Sequence, residues 1–123
     1  MGSKPVVSGV TVTWNDAKHP KLNVKDGGRY KNYKKGDLKS DDDDLEPDRV
    51  VVDLKLDLGD PKATEVALDD VHVQVAYSGA VPTIGWWNGA KWVKFTKVAY
   101  ANSVADVTLP PRWPTDPPIG THP

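Results

Sequence analysis

The sequence predicts an all-β chain, a two-sheet antiparallel β-sandwich, and three observations carry that prediction. Apolar and polar residues alternate with period two in several short runs, a spacing that puts one side of a strand in a core. Turn formers separate those runs, and little in the chain has the period of a helix. Half-apolar strands of this kind need a second sheet to keep their apolar sides dry.

The first such strand is Val10–Trp14, with Val10, Val12 and Trp14 on one side and Thr11 and Thr13 on the other. Residues 15–48 then form a long charged loop. From Lys18 to Lys39 there are eight Lys/Arg and two Asp, and from Ser40 to Asp48 five Asp and one Glu. Opposite charges segregated in this way predict a solvated loop whose halves attract each other, with Val24, Tyr30 and Tyr33 available for a short edge strand. Arg49 to Leu58 is the clearest strand: Val50, Val52, Leu54, Leu56 and Leu58 point inward, and Val51, Asp53, Lys55 and Asp57 outward. Gly59-Asp60-Pro61 breaks it. Asp60 can cap a short helix there, although Lys62 to Asp70 reads equally as a loop or a short strand.

Val71 to Tyr77 alternates again, with His72 and Gln74 outward. A hairpin follows over residues 83–97, turning on Asn88-Gly89, which suits a type I′ turn. That turn sets Trp87 opposite Ala90, Trp86 opposite Lys91, Gly85 opposite Trp92 and Ile84 opposite Val93. Ile84, Trp86, Val93 and Phe95 then form the buried side. Thr83, Trp87, Trp92 and Lys94 form the outer side, with Trp92 covering the bare Gly85. Tyr100–Ser103 is a further turn and Val104–Leu109 the last strand. Six prolines fall in the final fourteen residues, so residues 110–123 read as a Pro-rich tail or linker outside the ladders, after a sandwich domain of residues 1–109. Trp113 is placed to dock back on the sandwich.

The totals bound the function. With 123 residues the chain is one domain, and its net charge of −1 argues against nucleic acid as a partner. Arg29, Tyr30 and Lys31-Asn-Tyr-Lys-Lys35 interleave cations with aromatics, but the acidic run beside them competes for those cations. No apolar stretch is long enough for membrane insertion, and Met1-Gly-Ser-Lys-Pro lacks the apolar segment of a secretory leader. No cysteine is present, which excludes disulfides and thiolate chemistry. His19, His72 and His122 are scattered, and no nucleophile, phosphate-loop or zinc motif occurs, so no enzyme is expected.

Two other features attract a ligand reading. Asp41, Asp42, Asp43 and Asp44, with Glu46 and Asp48, offer carboxylates to calcium, with Asp69 and Asp70 able to complete a site. The run lacks the alternate spacing of a calcium loop, however, and side chains of an extended chain alternate in direction. Trp87 and Trp92, on the outer side of the hairpin, make a platform on which a sugar ring or a protein's apolar patch can sit.

Val50-Val-Val-Asp-Leu-Lys-Leu-Asp-Leu-Gly-Asp-Pro-Lys-Ala-Thr-Glu-Val with Val71-His-Val-Gln-Val is similar to the strand–turn–strand of immunoglobulin-like and fibronectin type III-like modules of bacterial surface proteins. Trp86-Trp-Asn-Gly-Ala-Lys-Trp-Val-Lys-Phe95 resembles the Trp-Asp/Asn-Gly-x-x-Trp hairpin of the same modules. The resemblance covers residues 50–95 and implies an immunoglobulin-like sandwich. It implies a non-catalytic structural or adhesive role in a larger surface or secreted protein, at the cell surface or outside it, with a protein or glycan partner. The chain is then a monomer or one segment of a multidomain protein. The alternative is a carbohydrate-binding accessory domain using Trp87 and Trp92.

Overall fold

Period-two alternation becomes a series of short strands. The computed structural model describes residues 2–18, 20–28, 30, 32–39, 45–57, 65–66, 70–109, 113–114 and 118–122. In chain order the strands are β1 (Gly2–Val7), β2 (Val10–Trp14), β3 (Asn23–Asp26), β4 (Arg49–Asp57), β5 (Glu65–Val66) and β6 (His72–Ala76). They continue with β7 (Thr83–Trp87), β8 (Trp92–Lys94), β9 (Val98–Ala101), β10 (Val104–Thr108), β11 (Trp113–Pro114) and β12 (Pro118–His122). No helix occurs among the described residues. One five-stranded sheet runs β1-β2-β6-β10-β9 and the other β3-β4-β12-β7-β8, all pairs antiparallel; β5 and β11 form a separate two-stranded ladder.

The core lies between the two large sheets, as the alternation predicts. Val10, Val12, Val73, Val75, Ala105 and Val107 come from the first sheet, and Val24, Val52, Leu54, Leu56, Ile84 and Ile119 from the second. Each is buried, and in β2, β6 and β10 the residues between them are less buried, as alternation requires. The edge strand allowed for within the long loop is β3, where Val24 faces inward opposite Leu56.

Several expectations are corrected. β1 precedes the strand expected to be first, so β2 is not an edge. β4 carries one extra residue: Ile119 of β12 faces Val52, but the next residue, Gly120, faces Val50. This bulge turns Val51 toward the core, against which it packs, in place of the expected Val50. Asp53, expected to face solvent, is buried beneath residues 26–28. Its carbonyl accepts the Gly27 N–H at 2.6 Å, and a Cβ on Gly27 would stand 2.5 Å from its Oδ2. Only glycine allows that approach without displacing the carboxylate.

The hairpin register also differs. Trp87 faces Trp92, Trp86 faces Val93 and Gly85 faces Lys94. The Asn88 side chain accepts the N–H groups of Ala90 and Lys91, both at 2.9 Å, which moves the turn one residue on. Gly89, at φ 101°, takes the first central position and Ala90 the second. Because the opposed pairs shift by two, each side chain keeps its expected side of the sheet, and the Trp92 ring still lies 3.8 Å from where a Gly85 Cβ would stand. The two successive positive φ angles of a type I′ turn occur instead at Asn102 (53°) and Ser103 (61°), joining β9 to β10.

The largest correction concerns the C-terminal residues. β12 pairs with both β4 and β7 and lies in the middle of its sheet, with Ile119 fully buried. Pro118 is tolerated because it stands at the first position of the strand, and Ile119–His122 contains no proline. Residues 113–114 form the ladder with β5. Of the alternatives drawn for Lys62 to Asp70, a short strand is found at Glu65–Val66; residues 58–64, with the expected helix cap at Asp60, and residues 67–69 lie outside the described residues.

Candidate functional site

The proposed tryptophan platform is closed. Trp92 is 1% exposed, so the expected open face is overturned at that residue, while Trp87 is half-buried. The cover is the charged loop itself. Tyr33 meets Trp92 edge-on at 6.2 Å, and the Trp92 indole N–H donates to the Leu38 carbonyl at 2.9 Å. Trp87 completes the cluster, edge-on to Trp92 at 5.7 Å. Behind it, the buried Glu46 carboxylate accepts the Gly36 N–H and anchors the loop. Burial of a large indole whose one donor finds a partner is strongly favoured over leaving it in water, and that decides the side the ring takes.

One group in this cluster is unsatisfied. The Tyr33 hydroxyl is buried with no hydrogen-bond partner among the described residues. Burial, and next the nearby Glu46 carboxylate, raise its pKa above the ordinary phenol value of 10.0. The neutral form is therefore favoured in the folded chain. Stability from this source is complete below the unfolded phenol's pKa and falls as pH rises above it toward the folded value. Tyr33→Phe removes the unpartnered oxygen and keeps the ring stack. It should stabilise the fold by about 1 kcal/mol and lessen the loss of stability above about pH 10, both read from urea melts at neutral and alkaline pH.

An open cleft lies at one end of the sandwich, lined by residues of both large sheets. Its volume is about 390 Å³, within the range of small-ligand sites. Val10, Val51, Val75 and Pro82 give it an apolar floor, and Tyr77, Ser8, Ser78, Thr121 and Asp48 bring a ring, hydroxyls and a carboxylate to its rim. Several main-chain bonds fix that rim. The Ala76 N–H donates to Gly9, the Tyr77 N–H to Ser103 and the Asp48 N–H to Thr121. Gly9 holds φ 82° in the β1–β2 turn, which a side chain would resist. Tyr77 stacks edge-on with Tyr100 at 6.2 Å, and the Tyr100 hydroxyl donates to the Pro82 carbonyl at 2.9 Å. Burial, then Tyr77, raise the Tyr100 pKa. The sequence signal for this cleft was slight: three valines in a row at residues 50–52 hide which one faces in.

His72 and Asp106 form a polar cluster on the outer face of the first sheet. His72 Nδ1 lies 2.8 Å from Asp106 Oδ1 and 3.3 Å from Thr108 Oγ1, and Gln74 Nε2 donates to Asp106 Oδ2 at 3.3 Å. Both neighbours share the same ring nitrogen, so the hydroxyl is not placed as a nucleophile on the far side of the imidazole. Half-exposed on the outer face of the sheet, the pair makes a surface contact of modest stability.

Most of the remaining expected site residues lie outside the described residues. Asp41, Asp42, Asp43, Asp44 and Asp69, named for calcium, lie outside the described residues, and Asp70 Oδ2 accepts the Asn15 N–H at 3.2 Å. Among the described residues no group of three or more His, Asp or Glu is arranged to hold a metal. Arg29 and Lys31 also lie outside them. Tyr33 is taken up by Trp92, and Tyr30 lines a smaller hollow of about 220 Å³ with Asp26 and Asp53. No described helix is long and apolar enough to cross a membrane.

The chain matches no family model, no curated protein and no solved structure with which it was compared.

Proposed function

We propose that the chain is a non-catalytic, immunoglobulin-like adhesive module of a surface or secreted protein, and that it holds its partner in the cleft at the sandwich end. The cleft carries this reading. It joins an apolar floor to a tyrosine ring, three hydroxyls and one carboxylate, a mixture that suits a small part-apolar, hydroxylated group such as a sugar unit or a side chain of a bound protein. The rim residues come from turns and strand ends held by main-chain bonds, so the site is formed before the partner arrives. The resemblance over residues 50–95 supports the same role. Glycan binding is retained as the second reading, moved from Trp87 and Trp92 to the cleft because Trp92 is covered.

Amide chemical shifts decide it. Titrating soluble glycans and short peptides into the labelled protein should move the signals of Ser8, Gly9, Tyr77, Ser78 and Thr121, and Tyr77→Ala should weaken binding at least tenfold, about 1.4 kcal/mol. A broad panel that moves none of these signals, or moves only signals elsewhere, ends the proposal.

A further inference from the structure

The outer edge of the first sheet is unlike the other sheet edges. β1, at the opposite edge of the same sheet, carries Lys4 and lies against β3 and β4. β3 carries Lys25 and Asp26, and β8 ends on Lys94 beneath the loop that bonds Trp92. Charges and covers of this kind keep edges from pairing. β9 reads Val98-Ala-Tyr-Ala101, with no charge in it.

The ladder shows which of its main-chain groups are free. The Thr108 N–H donates to the Lys97 carbonyl at 2.9 Å, and hydrogen-bonded pairs alternate along an antiparallel ladder. Ala99–Asp106 and Ala101–Val104 are therefore bonded pairs, while Val98 and Tyr100 face Val107 and Ala105 without exchanging bonds. The N–H and C=O groups of Val98 and Tyr100 point off the edge, and nothing among the described residues bonds them. Two large apolar residues stand exposed beside this edge, Tyr100 at 43% and Val81 at 56%.

We infer that β9 is a self-association edge, which pairs antiparallel with β9 of a second copy of this chain and joins two first sheets into one. The four residues are complementary to themselves. With Ala99 opposite Ala99 of the second copy on the two-fold axis, Val98 faces Tyr100 of that copy, and the free groups of both strands meet in bonded pairs. Lys97 then faces Ala101, so like charges do not meet. The small alanine at the axis lets the main chains approach, and each tyrosine ring lies over a valine. A four-residue ladder buries less than a standard interface, so the association is weak and depends on concentration. This departs from the monomer expected from the sequence.

Sedimentation of the full chain tests it. The average mass should rise from 13.4 kDa toward twice that value as concentration approaches about 1 mM. Ala99→Lys puts a lysine opposite Asp106 within one copy but against its own image in the pair; it should weaken association at least tenfold and leave the melting temperature unchanged. The chain contains no cysteine, so Ala99→Cys supplies a single thiol. Facing residues of a non-bonded antiparallel pair lie about 4.5 Å apart at Cα, within disulfide range. Oxidised with diamide, this variant should form a covalent dimer much faster than Ala17→Cys, an exposed site in the turn after β2, which β6 and β10 separate from β9. A mass that stays at one chain up to about 1 mM, unchanged association in Ala99→Lys, or equal cross-linking rates for the two thiols would each overturn the inference.

Discussion

Deleting residues 118–123 is expected to abolish folding. A removable tail would leave the sandwich intact, but β12 is hydrogen-bonded on both sides, to β4 and to β7. Its loss strips two strands of their neighbour and opens the core at Ile119, which is fully buried. A domain of this size is stable by about 5–15 kcal/mol. Ile119→Ala alone should cost about 2–5 kcal/mol, and the deletion adds the unpaired main chain of two central strands. The shortened chain should show collapsed amide dispersion and no cooperative melt, whereas Ile119→Ala should melt cooperatively at a lower urea midpoint. A cooperative transition in the deletion variant would show that β12 is dispensable.

Trp92→Ala should be the most damaging single substitution at the hairpin. It removes a ring that is 1% exposed, and such truncations cost about 3–5 kcal/mol. It also takes away the stacking partner of Tyr33 and the donor to Leu38, so residues 30–39 should become open to protease before the sandwich unfolds. Trp92→Phe separates the two contributions. It keeps a ring but leaves the Leu38 carbonyl without its donor, at about 1–3 kcal/mol. Equal protease sensitivity in Trp92→Ala and the parent chain would mean that the loop is held by Glu46 and its other contacts alone.

The sandwich was legible wherever one face of a strand is apolar and the other polar. β2, β6 and β10 follow that rule, and Val12, Val73 and Val107 are fully buried as it requires. The rule falls silent where both faces are apolar. In Val50-Val-Val52 any of the three can face in, and the bulge that chooses Val51 is set by β12, remote in sequence. β12 is masked by composition: the prolines of residues 110–123 fall mainly before it and at its first residue, and its last four residues contain none. The hairpin register turned on a side-chain choice: Asn88 bonds forward to Ala90 and Lys91 instead of entering a positive-φ conformation.

The candidate sites were less legible because they depend on contacts across sheets and loops. Trp92 was placed on the correct side of its strand. That side is roofed by Tyr33 and Leu38, two apolar residues within a run of lysines that read as solvated. Asp53 lies on an outward position and is buried only because Gly27 lets the chain pass over it. The end cleft gathers residues from positions 8 to 121, a convergence no local pattern announces.

The central place of β12 also dictates the timing of assembly during synthesis. β4 and β7 emerge from the ribosome long before the strand that belongs between them, and at about 5–20 residues per second they wait for seconds with that gap unfilled. The second sheet can close only after residue 122 has been translated, so until then β4 and β7 stand without the strand that joins them.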